Sequence, residues 1–362
     1  MSDANSVNIE AGPLNQFSPE HKITTSTSTT PQTQTNNHPT KWPLLLLCCL
    51  FTAIGIVGGP LLLRLYYLNG GSRKWLVSCV QTAGFPILIV PVSLLILRTK
   101  SKPMYSVLLE PKLLLSSALM GTLLGVINLL YSQGLSYLPV STATLLQSTQ
   151  LAFIAVFSRL VVKQKFTAYI VNSVVLMTLG SAMLGIRANG DRPAGVSTGK
   201  YWLGFVLTLL SAGLTGIMWP AIELSYRKAT RAVTKTTLLQ YQLSVAAFAT
   251  IFSLIGMVVS KDFQAMGREA NEFAHGKDVY CTVLVVAAVV FQISFVGSFG
   301  LIFFAGSLFT GIFISVLLPI TEVASFVAYH EKFNGEKGMS LALCLWAFAS
   351  YFYGQYNKER MT

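Results

Sequence analysis

YSQGLSYLPVSTATLLQSTQLAFIAVFSRLVVKQKF, residues 131–166, holds two apolar segments that meet at Tyr137-Leu138-Pro139. That hinge is too short to be a domain linker. The second segment carries Ser141, Thr144, Gln147, Ser148 and Gln150. At about 100° per residue, Ser141, Thr144 and Ser148 fall close together, and Gln147 and Gln150 occupy the adjoining arc. Leu145, Leu146, Phe153, Ile154 and Phe157 cover most of the remaining surface. A helix this apolar lies in lipid, where a polar side chain is costly unless something polar faces it. The neutral polar face therefore predicts the wall of an internal cavity, and the rest of the chain reads as the frame that builds it.

Composition extends this reading to the whole chain. Of 362 residues, 52% are hydrophobic and 11% charged, whereas a soluble protein carries roughly 25% charged residues. A chain so poor in Lys and Glu cannot coat a water-facing surface. Apolar runs long enough to span a bilayer recur with short polar gaps, the mark of an all-α polytopic membrane protein. The net charge of +12 is spread over loop positions. It speaks for orientation in the lipid bilayer and against nucleic acid. Cys48, Cys49, Cys79, Cys281 and Cys344 all lie in apolar runs and read as small hydrophobes. His21, His38, His275 and His330 have no partners at ligand spacing, so no metal site and no cofactor is expected.

Residues 1–40 are rich in Ser, Thr, Asn, Gln and Pro and read as a disordered cytoplasmic tail without a secretory signal. Ten spans follow near 43–66, 74–97, 112–137, 140–162, 166–187, 201–226, 236–260, 279–304, 308–329 and 338–356. An even number puts both termini on one side. With a cytoplasmic start, inner segments hold 15 of the 26 basic residues, chiefly in RTKSK at 98–102 and RKATRAVTK at 227–235. The outer loops hold the remainder, diluted by Asp191, Asp262, Glu269, Glu272 and Asp278.

Two short marks recur at matched places. Lys163-Gln164-Lys165-Phe166 ends the fourth span and His330-Glu331-Lys332-Phe333 the ninth; Gly58-Gly59-Pro60 in the first span resembles Met218-Trp219-Pro220 in the sixth. They predict two inverted five-helix repeats, 41–190 and 191–362, with substrate bound between them near the midplane. Helix breakers agree: Gly55, Gly58, Gly59 and Pro60, then Pro86 and Pro91, then Gly213, Gly216 and Pro220, and finally Pro319. Each proline frees a backbone carbonyl that must find a partner or a wet cavity.

With these residues in view, the chain resembles the plant purine permease family of the drug/metabolite transporter superfamily. The strings that carry the resemblance are RKWLVSCVQTAGFPIL at 73–88, NLLYSQGLSYLPVSTATLLQSTQLAF at 128–153 with VKQKF at 162–166, Asn172 to Leu176, and Leu318-Pro319-Ile320. The resemblance covers about 41–356. It implies ten helices in two inverted halves and proton-coupled uptake of adenine, cytokinins such as zeatin and related purine derivatives. The plasma membrane is the expected host. Family members often carry an apolar residue or proline where Glu322 stands, so a role for that glutamate would be particular to this chain.

Candidate residues follow from the chemistry of a purine in lipid. Glu223 and Glu322 are the acidic residues inside the expected spans. A charge there costs roughly 2.5–3.5 kcal/mol, which suits a group that takes up and releases a proton. The competing roles are a glutamate snorkelling toward Arg227 or Lys228 and a structural partner for a neighbouring helix. The amides are Gln81, Asn128, Gln133, Gln147, Gln150, Gln240, Gln242 and Gln292. A carboxamide matches the donors and acceptors of a purine edge. Asn128, Gln147 and Gln150 rank first because they fall in the strings shared with the family, with Gln81 beside them. Trp75, Tyr131 and Tyr241 could stack on the planar base. Interhelical hydrogen bonding competes for every amide, and interfacial anchoring competes for Trp75. G-x-S-x-G, H-E-x-x-H, P-loop and C-x-x-C patterns are all absent, so an enzyme is not expected. An exporter or facilitator of another planar solute, such as an alkaloid or vitamin, stays open beside the importer.

Overall fold

Lys41–Leu68 forms one unbroken helix, α1, of 28 residues. At 1.5 Å per residue it runs roughly 42 Å, longer than a bilayer core of about 30 Å. A computed structural model describes residues 41–99, 110–162, 195–229, 234–330 and 335–361, with 167–169, 171–173, 175, 176 and 179. Among these every regular element is helical. After α1 come α2 (Lys74–Ala83), a 3-10 turn (Phe85–Leu88), α3 (Ile89–Thr99), α4 (Pro111–Tyr137), α5 (Val140–Ser148) and α6 (Gln150–Val162). Then follow α7 (Thr198–Lys228), α8 (Lys235–Val259), α9 (Asp262–Glu272), α10 (Gly276–Ala305), α11 (Ser307–Tyr329) and α12 (Gly335–Met361).

Among the described residues eight stretches are long and apolar enough to cross a membrane, with α2 to α3 making one of them and α5 to α6 another. The expected fifth span, 166–187, falls largely outside the described residues, as do the tail before 41 and most of the basic string 98–102. The expected tenth coincides with α12, whose apolar window 338–351 is shorter than the others. Ser173 Oγ donates to Ala347 O on α12 (2.7 Å), so the described part of 167–179 packs against that helix.

Two expected spans are interrupted, the second where Pro86 marks a break and the fourth without a proline, and the residues explain both. Gly84 and Pro86 turn the second crossing into a 3-10 step between α2 and α3. Thr149 breaks the fourth: its N–H and hydroxyl both donate to Leu146 O, and α6 restarts at Gln150. Helix ends elsewhere use ordinary devices. Ser197 and Thr234 accept first-turn N–H groups at α7 and α8, while Gly306 at φ +88° allows the sharp α10–α11 corner.

α1 packs along α10, and α4 along α7 and α8, while α5 and α6 lie against α7 and α11. The backbones come close because glycine leaves room. A Cβ at Gly55 would overlap the Ser294 side chain, and one at Gly134 would overlap Thr208 Oγ1. Pro60 cannot donate to Ile56 O, and that freed carbonyl takes a hydrogen bond from Thr321 Oγ1 on α11 at 3.1 Å. The hydrogen bond that Pro60 denies α1 is thereby supplied from another helix.

The acidic residues expected to be solvated in an outer loop are partly folded in. α9 buries Asp262 (3% exposed) and Glu269 (7%). Tyr66 and Tyr280 hydroxyls donate to Glu269 Oε1, and Ser72 N and Oγ donate to Oε2 at 3.2 and 2.9 Å. Arg73 lies 3.4 Å from Glu269 and 3.7 Å from Asp262. The loop acids have period and partners that a count of charges does not register.

Gly55→Val should lower the folded yield and the melting temperature in detergent, at a cost of roughly 1–3 kcal/mol for overpacking. Gly58→Ala, whose Cβ would stand 3.5 Å from Val290 Cγ1, should be tolerated. Equal melting temperatures for the two variants would contradict the close α1–α10 crossing.

Candidate functional site

The helices line a cavity of about 120 Å3, an order of magnitude above the roughly 10–15 Å3 that one buried water needs. It lies where two buried apolar clusters meet. Leu124, Ile127, Met218 and Trp219 border it from one, Tyr131 and Phe291 from the other. α1, α2, α4, α5, α6, α7, α10 and α11 all contribute wall.

Of the residues expected to bind substrate, Gln81, Asn128, Tyr131, Gln147 and Gln150 border this cavity together. The Thr149 break sits between the two glutamines, and both border the cavity. Ser141, Thr144 and Ser148 do not border it, although the helical wheel places them beside Gln147. The Thr144 hydroxyl donates to Ser141 O and the Ser148 hydroxyl to Leu145 O, so these groups are answered by their own helix.

The amides differ in how far they are committed. Gln81 Nε2 donates to Ser132 Oγ at 2.9 Å and reaches Asn128 O and Val77 O at 3.4 and 3.3 Å. Its nitrogen ties α2 to α4. Gln147 Nε2 lies 3.5 Å from Gln150 Oε1. Asn128 Nδ2, Gln147 Oε1 and Trp219 Nε1 have no hydrogen-bond partner within the protein. A buried polar atom left unpaired costs roughly 1–3 kcal/mol, and three of them belong to residues on one cavity wall.

Trp75 and Tyr241 stand elsewhere. Trp75 packs over Gly256, where a Cβ would overlap its ring, and meets Phe252 at 5.8 Å between centroids. The Tyr241 ring lies edge-on to Tyr226 (5.4 Å), and its hydroxyl is 2.9 Å from Ser116 Oγ. The aromatic side chains that do border the cavity are Tyr131, Trp219, Phe291 and Phe295. Trp219 escaped the sequence reading except as part of Met218-Trp219-Pro220, because an indole counts as apolar in a pattern of hydrophobicity.

The two glutamates also lie off this wall. Glu223 Oε2 accepts from Ser307 N (2.8 Å) and Ser307 Oγ (2.5 Å), and Oε1 accepts from Arg227 Nη2 (2.6 Å). It joins α7 to the first turn of α11, where unpaired N–H groups and the helix dipole favour a carboxylate. Glu322 is fully buried on α11.

A family profile described as purine nucleobase transmembrane transport matches residues 43–361. The chain is 45% identical over 317 residues to purine permease 3 of Arabidopsis thaliana, covering 86% of this chain and 90% of that one. It is 40% identical over 338 residues to purine permease 2 of the same plant, covering 89% and 94%. The chain belongs to the purine nucleobase transporter family. It is an integral membrane protein and a transporter, not an enzyme. A crystal structure of a protein only 14% identical superposes with a TM-score of 0.56, covering 86% of this chain and 96% of that one, which shows a shared fold.

For a purine transporter this geometry separates two kinds of variant. Gln147→Ala should raise the half-saturation concentration for purine uptake about tenfold at unchanged surface abundance. Trp75→Ala should lower abundance and leave that concentration alone. Concentration-dependent uptake normalised to surface-labelled protein decides between them, and an unchanged value for Gln147→Ala would remove that residue from the site.

Proposed function

We propose that this purine transporter is a secondary active importer that couples purine bases and derivatives, adenine and cytokinins such as zeatin among them, to protons. The observation that carries the reading is the cavity itself: small, lined by aromatic side chains, and bordered by four amides, of which Asn128 and Gln147 each keep a polar atom without a partner within the protein. A planar heterocycle with donors and acceptors around its rim suits those walls. The named relatives are purine permeases.

The frame is ten helices in two inverted repeats, with both termini cytoplasmic and the plasma membrane as host. The pairing of helices supports the repeat. Exchanging the halves takes the first span to the sixth and the third to the eighth. The α1–α10 and α4–α7 crossings, each closed by glycine, would then map onto one another. Substrate would lie between the halves, held by Asn128, Gln147 and Gln150, with Gln81 supporting Asn128 from α2. Tyr131 serves as a stacking ring.

Glu223 is the group we assign to the proton, with Glu322 as the second carboxyl on the path. Protonating Glu223 would remove the charge that holds Arg227 and weaken an acceptor for Ser307, loosening α7 from α11. Titration at one residue would so become movement between helices. Radiolabelled adenine and zeatin uptake into transport-deficient cells tests the whole reading. Uptake should fall when a protonophore is added, and Glu223→Gln should carry a residual flux indifferent to it. Wild-type influx that ignores the protonophore would end the coupling claim, and net efflux would favour the exporter.

A further inference from the structure

Trp219 is the one cavity residue whose hydrogen bonding has no freedom of sign. Asn and Gln side chains can present either oxygen or nitrogen, but an indole offers a single N–H and no acceptor. Buried tryptophans usually find a partner for that group. Trp219 is 5% exposed and borders the cavity, yet its Nε1 has no partner within the protein. The ring stands edge-on to Phe299, with centroids 6.1 Å apart at 80°. Pro220 follows it in α7, and Gly216 lies against Phe153 on α6, so the backbone beneath the ring is tightly placed. Ser211 Oγ donates to Ile127 O at 3.3 Å and Thr215 Oγ1 to Ser211 O at 2.8 Å, and neither hydroxyl accepts from the Trp219 N–H.

We infer that Trp219 is a specificity-determining residue whose indole N–H donates to a lone-pair nitrogen in the ring of the bound base. The inference rests on the reading that this cavity takes a purine, and it adds which protein group senses the ring itself. The companion groups fit. Asn128 Nδ2 supplies a second donor, and Gln147 Oε1, kept free by the approach of Gln147 Nε2 to Gln150, accepts an N–H from the substrate. A base with a ring nitrogen acceptor satisfies Trp219, whereas an isosteric C–H at that position leaves the indole N–H unpaired. Substitution on an exocyclic amino group leaves the ring nitrogens intact, so Trp219 would tolerate derivatives while rejecting a changed ring.

Purified full-length protein should be titrated with adenine and with its 1-, 3-, 7- and 9-deaza analogues, in wild type and Trp219→Phe. In wild type one deaza analogue should bind about tenfold or more weaker than adenine, the rest much less so. In W219F adenine itself should weaken to a similar degree, and that analogue should lose little further, so the two losses do not add. If W219F is not recovered folded, benzothienylalanine at position 219 keeps the ring shape and removes only the N–H. Purine binding with additive losses, or with no analogue distinguished in wild type, overturns this inference alone. Failure of wild type to bind any purine overturns the underlying reading of the cavity and this inference with it.

Discussion

Lipid offers no hydrogen bonds, and that absence governs the molecule. Each polar group carried into the bilayer must be met by another part of the chain. Pro60 illustrates the cost and its repair: the carbonyl it strands at Ile56 is taken by Thr321 from α11. The corner at Gly306 is handled likewise, with Glu223 reaching from α7 to receive the Ser307 N–H and hydroxyl at the new helix start. Serine and threonine hydroxyls along α5 and α7 turn back onto their own backbones. Helix association is then left to glycine-lined crossings and to these few directional bonds.

The cavity wall is served less completely. Asn128, Gln147 and Trp219, which share that wall, each keep a polar atom without a partner within the protein. A transporter must hold its cargo and also let it go, so its site cannot be too well served by its own residues. In the proposed site, flat apolar surface from Phe291, Phe295 and Tyr131 would contribute adhesion without direction, and the amides would supply the direction.

Much of this was legible in the chain itself, for physical reasons. Polar residues inside an apolar run advertise themselves, so Gln147, Gln150, Asn128 and Gln81 could be singled out before their neighbours were known. Helical spacing was less informative about Ser141, Thr144 and Ser148, since a hydroxyl can satisfy itself locally and a wheel does not show that. Trp75 and Tyr241 share composition with a stacking ring but pack as ordinary interior aromatics. Trp219 was opaque because its one polar atom is hidden in a side chain scored as greasy. The break at Thr149 also left little trace, being made by a threonine rather than a proline.

α9 brings a last consequence. Its Glu269 gathers Tyr66 from α1, Ser72 and Arg73 from the connection to α2, and Tyr280 from α10 around a single carboxylate. Because these bonds share one carboxylate, removing it would strand the Tyr66, Ser72 and Tyr280 donors together, while Arg73 would keep Asp262. The joining of α1, α9 and α10 at this end of the bundle thus hangs on a single side chain.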